Sequence, residues 1–367
     1  MILGVFPELD GIGGVQRASR HLAAVLTAYA HRVGGSVRML ALNDALGKHR
    51  SQVGGCEIEY EGFDRSRWAL TQACWRSTDR NTRLLLAAHP NLAPLISAAK
   101  RKAPSARAVV VCHGIEVWAP LGWLRRVALA QADCILAPSC YTAEQVTRQQ
   151  GVQRKRVHLL PWALEPTFWE MAQQAQAPGR PPGFPPGRVV LAVTRLAAVD
   201  AYKGVDTLIQ ALVRLPNDAH LVVVGEGDDR PRLEALARAQ GVARRVHFLG
   251  ALERDELVAC YQHCDIFALP SKGEGFGLVF LEAMAFGKPV IGGAHGGTLD
   301  IIEHGTSGFL VPHGDVEQLA ATLTHLLAHP ALCEELGHHA RERVAQHYLF
   351  PQFASRLNAI LDELLAR

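Results

Sequence analysis

No apolar run in the sequence approaches the roughly 18–20 residues that a membrane-spanning helix needs. The first residues, MILGVFPELD, place no basic stretch ahead of their apolar side chains, so a secretory leader is not expected. The expected compartment is the cytosol. Cysteine forms no useful pattern: the eight lie at positions 56, 74, 112, 134, 140, 260, 264 and 333. Only Cys260 and Cys264 are close, and neither has a His or Cys partner at zinc spacing, so they read as helix-face packing. Neither a disulfide framework nor a metal site is expected. Low-complexity sequence is confined to QQAQAPGRPPGFPPG (173–187), and no short-period repeat occurs. With 49% hydrophobic and 20% charged residues the chain is globular rather than disordered.

What is present alternates. Short Val-, Leu- and Ala-rich runs at 2–7, 36–42, 83–88, 106–111, 134–138 and 157–160 are separated by helix-like segments such as VQRASRHLAAVLTAYA. After 173–187 the alternation restarts at 188–193, 220–225, 245–250, 265–270, 288–293 and 308–311. Strands without polar alternation suit parallel sheets covered on both faces. The 367 residues then make two doubly wound α/β domains facing a cleft. The expected boundaries are 1–170, a Pro/Gly-rich linker at 171–187, a second domain at 188–348, and a C-terminal helix at 349–367 packing back toward the first domain to brace both. Charge divides unevenly along this plan. Residues 1–165 carry 21 Lys and Arg against 12 Asp and Glu, and the remainder 17 against 23. A basic first half suits an anionic partner, a nucleic acid or an anionic membrane surface, although an Arg-rich solvated surface has the same composition.

In open α/β sheets ligands meet the carboxyl ends of strands, so the loops there carry the candidates. After the first strand, Asp10-Gly11-Ile12-Gly13-Gly14-Val15 brings glycine backbone to a helix N-terminus, where amides and the helix dipole favour an anion. The dinucleotide fingerprint is incomplete, because Gln16 stands where its last glycine would, and a tight strand-to-helix turn would use the same glycines. After 106–111 comes His113 with Gly114 and Glu116. After 188–193 come Arg195 and, beyond the loop LAAVDAY, Lys203, two cations suited to a diphosphate, although Arg and Lys are also common on solvated loops.

The sharpest segment is SKGEGFGLVFLEAMAFGKPVIGG (271–293). A loop ends at Gly277, and a helix runs from Leu278 to a stop at Gly287 and Pro289. The amides of Phe276, Gly277 and Leu278 are first-turn donors ready for a phosphate. Glu274 lies just before that helix and Glu282 five residues into it, so the two carboxylates can accept from vicinal hydroxyls on either side of the phosphate. Glu282 is surrounded by apolar neighbours, where an unpartnered carboxylate would be costly.

Glu274 and Glu282, seven residues between them in EGFGLVFLEAMAFGKPVIG, resemble the EX7E signature of retaining GT-B glycosyltransferases, and of glycosyltransferase family 4 in particular. The match is specific over about 190–315 and looser over the first half, where acceptor sites vary. The resemblance implies a metal-independent, retaining transfer of a hexose-type sugar from a nucleoside-diphosphate sugar to an acceptor hydroxyl. Donor contacts would come from Gly13, Gly14, Arg195, Lys203, Glu274, Gly275, Phe276, Gly277, Leu278 and Glu282. In that scheme Gly13 and Gly14 approach the diphosphate, Arg195 and Lys203 neutralise it, Glu274 holds the sugar hydroxyls and Glu282 the ribose. His113 would contact the donor sugar at the reaction centre. No Asp-x-Asp pair occurs, in keeping with the absence of a metal in that scheme. Two features depart from the family pattern: the Arg195–Lys203 loop is long, and His113 is followed by Gly-Ile-Glu rather than Asp, which leaves Glu116 for an acceptor.

The expected partners are the nucleotide sugar and a carbohydrate or lipid-linked acceptor, with no nucleic acid and no cofactor. Basic groups at 100–102, 125–126 and 154–156 suit peripheral contact with an anionic membrane during polysaccharide or glycolipid assembly at the cytoplasmic face. A GT-B nucleotide-sugar epimerase, which would turn over without an acceptor, and a non-catalytic nucleotide- or sugar-binding module remain as alternatives.

Overall fold

The computed structural model describes residues 1–174 and 179–366. The chain divides into two compact units, Met1–Ala163 together with Phe350–Arg367, and Leu164–Leu349. No described helix is long and apolar enough to cross a membrane.

Unit 1 holds eight strands: β1 (Ile2–Phe6), β2 (Val37–Ala41), β3 (Gly47–Val53), β4 (Cys56–Gly62), β5 (Leu84–Ala87), β6 (Arg107–Val111), β7 (Cys134–Ala137) and β8 (Val157–Leu159). They form one sheet in the order β3-β4-β2-β1-β5-β6-β7-β8. All neighbours run parallel except β3 and β4, an antiparallel hairpin at one edge. That hairpin was not expected from the apolar runs. Its strands alternate exposed and covered residues and turn at Gly54-Gly55, the period-2 signature of a sheet with one wet face. β1, β5 and β7 are buried at every position, as strands covered on both faces must be. The final helix, Phe350–Ala366, belongs to this unit. It packs on helix Gly14–Arg32, where Asp362 accepts from Tyr29 at 2.9 Å and from Arg32 at 2.9 Å.

Unit 2 holds β9 (Arg188–Val193), β10 (Ala219–Val224), β11 (Val246–Gly250), β12 (Ile266–Leu269), β13 (Val290–Gly293) and β14 (Gly308–Val311). The sheet is fully parallel, in the order β11-β10-β9-β12-β13-β14. One face is filled by Val190, Ala192, Leu221, Val223, Ile266 and Ala268 against the helices Val205–Leu212 and Val316–Ala328. The expected linker starts inside structure: residues 171–173 are the last turn of helix Pro166–Gln173, whose Phe168 is buried. Residues 175–178 of that segment lie outside the described residues.

Both sheets reverse direction once. From β9 the chain steps outward to β10 and β11, then returns across to β12. In unit 1 the same reversal falls between β1 and β5. Loops leaving the carboxyl ends of strands flanking a reversal diverge and open a crevice, so these two places position any ligand.

Candidate active site

In unit 2 the reversal brings together the loops after β9 and β12. Residues 198–203 wind into 3-10 turns ended by Gly204 at φ 80°. A side chain at Gly204 would meet the Pro270 carbonyl oxygen at 2.7 Å, so only glycine lets the two loops touch. They are then fastened, since the Lys272 amide donates to the Tyr202 carbonyl at 2.8 Å. This joint puts the Lys203 ammonium 2.5 Å from Glu274 Oε1, with side chains 17% and 9% exposed. Arg195 lies out in solvent and pairs with the buried Asp200 at 2.9 Å, and the Tyr202 hydroxyl donates to the same carboxylate at 3.1 Å. The longer loop noted in the sequence therefore has an internal anchor, Asp200.

Glu274 is buried and tied through its backbone, its carbonyl accepting from the Gly297 amide at 2.6 Å. Gly277 caps the helix Leu278–Ala285 at φ 103°, a conformation that favours glycine. The amides of Phe276, Gly277 and Leu278 have no acceptor among the described residues, the arrangement that binds an anion at a helix start. Phe276 itself is buried, edge-on to Tyr348 with ring centroids 5.9 Å apart, and Gly275 stacks its carbonyl beneath Gly297. Glu282 is 1% exposed, and its carboxylate accepts from the Tyr261 hydroxyl at 2.7 Å. Burial of this charge is thus matched by an internal donor that the sequence reading did not anticipate.

In unit 1, the glycine loop after β1 is braced on three sides. Asp44 accepts from the amides of Leu9 at 2.8 Å and Asp10 at 2.9 Å. Arg20 donates to the carbonyls of Leu9 and Gly11, and Gln16 donates to Glu8 at 2.6 Å. Gly13 caps the helix and Gly14 opens it, with no acidic residue in the first turn to compete with an anion.

His113 follows β6 and is buried. Its Nε2 donates to the Ala88 carbonyl at 2.7 Å, which leaves Nδ1 as a lone-pair acceptor, a buried atom with no partner among the described residues. Glu116, expected to face an acceptor, accepts from the His113 amide at 2.5 Å and so holds the turn. His89, after β5, stacks near His113 with ring centroids 5.7 Å apart. Its Nδ1 accepts from the Asn91 amide at 3.1 Å.

Burial, then the neighbouring His113, holds His89 down to about 4, and burial lowers His113 against the opposing pull of Glu116. Both imidazoles are therefore neutral at pH 7. Their folded values lie below the usual 6.5, so the unfolded chain binds more protons in that window. Their contribution is intact above 6.5 and is lost as pH falls toward 4. The urea midpoint is expected to drop over that range by the equivalent of about 3 kcal/mol, and His89→Gln to flatten the drop. An unchanged slope in the variant would mean that His89 binds its proton equally well in the folded and unfolded chain.

The sequence reading missed His89, Lys272 and His295. All three follow the carboxyl ends of strands (β5, β12 and β13), which is the signal that could have found them. Burial lowers His295 first, and the charge of Lys272 adds to it.

Two α/β sheets, parallel apart from the β3–β4 hairpin, each with its polar loops gathered where strand order reverses, define a protein of the GT-B fold class. The model described as "Glycosyl transferases group 1" matches residues 183–343, and the "Glycosyltransferase Family 4" model matches residues 12–167. The chain belongs to glycosyltransferase family 4. It is 29% identical over 66% of its length to alpha-D-kanosaminyltransferase of Streptomyces kanamyceticus, and the alignment spans 63% of that relative's length. It is 30% identical over 72% of its length to the GDP-mannose-dependent alpha-(1-6)-phosphatidylinositol monomannoside mannosyltransferase of Mycobacterium tuberculosis, spanning 71% of that protein. Among solved structures, Anabaena HepE in complex with UDP-glucose matches with a TM-score of 0.76 at 20% identity, covering 99% of this chain and 100% of that one.

Proposed function

We propose that the protein is a retaining glycosyltransferase that moves a hexose-type sugar from a nucleoside diphosphate to an acceptor hydroxyl without a metal ion. The observation that carries this reading is the Lys203–Glu274 pair at the reversal of the second sheet, beside three unpaired first-turn amides. Lys203 occupies one oxygen of Glu274 and leaves the other to accept from a sugar hydroxyl. The leaving diphosphate develops negative charge as the glycosidic bond breaks. Arg195, Lys203 and the start of helix Leu278–Ala285 supply fixed positive potential for it. Glu282, held by Tyr261, is assigned to the ribose.

In unit 1, Gly13 and Gly14 supply amides for the diphosphate, and the His113 Nδ1 lone pair accepts from a sugar hydroxyl. Because His113 is neutral and buried, it orients that hydroxyl and takes no part as an acid. Glu116 is a positioning residue for His113. No side chain is assigned as a covalent nucleophile: attack from the departing face, with the leaving phosphate taking the acceptor's proton, balances without one. The acceptor is proposed to be a carbohydrate or a lipid-linked saccharide, in polysaccharide or glycolipid assembly at the cytoplasmic membrane face. The relatives named for kanosaminyl and mannosyl transfer support a hexose-type donor.

Thermal unfolding with UDP, GDP, ADP and dTDP in the presence of EDTA tests the donor reading. A nucleotide at 100 times its Kd is expected to add about 2.7 kcal/mol of stability. Stabilisation by one of the four would name the donor base. No stabilisation by any would overturn the nucleotide-sugar reading.

A further inference from the structure

We propose that the outer face of three unit 1 helices, Arg67–Ser77, Ala93–Ala99 and Trp123–Gln131, docks on an anionic lipid surface. Trp68, Trp75, Trp123 and Leu124 enter the headgroup region, and the surrounding basic side chains meet lipid phosphates. The assignment deepens the lipid-linked acceptor reading but rests on this surface alone.

The three helices form a row, the second packing against both of the others. Their inner sides, including Leu70, Cys74, Ile96 and Leu129, join the core beneath the sheet. Once that stripe is buried, an ordinary helix presents polar residues outward. Here the outward positions hold Trp68 at 73% exposure, Trp123 at 77%, Leu124 at 59% and Trp75 at 46%. Trp68 and Trp75 rim an open groove of about 210 Å³ floored by Leu95, Ala98 and Ala99. Large side chains exposed singly are unremarkable, but several on adjoining helices mark an interaction surface.

Charge selects the partner. The three helices contain no Asp or Glu, and they carry Arg67, Arg76, Arg125 and Arg126. The turn after the second helix adds Lys100, Arg101 and Lys102. Of the acids just beyond the helix ends, Asp133 is engaged by Lys100 at 2.5 Å and by the Ala108 amide at 2.7 Å, and Asp79 accepts from the Asn81 amide at 2.9 Å and the Thr82 hydroxyl at 3.1 Å. The Lys102 ammonium sits 5.1 Å over the Trp75 ring, so cation and indole share one patch. A tryptophan has an apolar body and a polar N–H and settles at the headgroup level, where Lys and Arg find phosphate. Shallow aromatic relief on the two outer helices, flanked by cations and with no acid on any of the three, fits a laterally extended anionic and apolar surface better than a single small ligand.

The test is sedimentation of the full chain with phosphatidylglycerol-containing vesicles and with pure phosphatidylcholine vesicles, at about 0.1 M and about 1 M salt. Pelleting is expected with the anionic vesicles at low salt only. The pairs Trp68→Gln with Trp123→Gln, and Arg76→Gln with Arg101→Gln, are each expected to weaken partitioning roughly tenfold or more. These positions are exposed, so both variants should keep the wild-type thermal transition and its nucleotide response. That control separates this assignment from the donor reading, since either can fail while the other stands. No pelleting, equal pelleting on neutral vesicles, or pelleting unchanged in both pairs would overturn the proposal. A tryptophan-dependent dimer without vesicle binding would instead give the face to a second copy, and would also overturn it.

Discussion

Glu274→Gln is expected to lower kcat/KM for sugar transfer by roughly 10²–10³, the usual size of losing one charged contact that stabilises a transition state. Glutamine keeps the shape and one acceptor oxygen, so the loss reports charge rather than space. The substitution also leaves the Lys203 ammonium, 17% exposed, without its counter-ion 2.5 Å away. Breaking such a pair from one side typically costs about 3 kcal/mol, because the remaining charge is still desolvated. Lys203→Met combined with Glu274→Gln removes both charges and should recover most of that stability. It should not recover activity, because the diphosphate then loses a cation and the sugar its carboxylate. Stability restored with activity still absent would show that the pair is held for chemistry rather than for folding. Wild-type kcat/KM in Glu274→Gln would sink the assignment.

The parallel strands were legible because burial on both faces forces near-continuous apolar runs, and each of those runs became a strand. The β3–β4 hairpin was not, because its charged outward residues (Arg50, Glu57 and Glu59) broke the apolar pattern while its inward ones, Ile58 and Tyr60, were too few to stand out. The positions of Arg195, Lys203 and Glu274 at strand ends followed from the strands themselves. Their pairing did not: Lys203 and Glu274 are 71 residues apart and meet because Gly204 fits against Pro270 and the Lys272 amide ties to the Tyr202 carbonyl. Glu282 shows the same limit. Its apolar neighbours signalled burial, but the hydroxyl that accompanies it belongs to Tyr261, on a separate helix. Sequence patterns mark which groups are buried, and long-range contacts decide what compensates them.

Gly297→Ala is the second substitution with a large expected effect, and it acts by space alone. Gly297 has φ −70°, which any residue adopts, so backbone strain is not at issue. A methyl there would lie 2.5 Å from the Gly275 carbonyl oxygen and 2.6 Å from the Phe276 Cα. These are backbone atoms of the loop that carries Glu274, and they cannot swing aside as a side-chain tip can. The Gly297 amide also holds the Glu274 carbonyl at 2.6 Å, so relief of the clash must pull Glu274 outward. Gly293, just before it, is equally confined, with the Ser271 carbonyl oxygen 1.8 Å from where a methyl would be. Overpacking of this kind costs about 1–3 kcal/mol. A displacement of about 1 Å at Glu274 would add a loss of roughly 10² in kcat/KM. Gly35→Ala, whose methyl meets nothing nearer than 3.6 Å, is the control and should change neither. If Gly297→Ala lowers the melting temperature but leaves kcat/KM intact, the loop has enough slack to keep Glu274 in place, and close packing by the turn after β13 is not what positions the carboxylate.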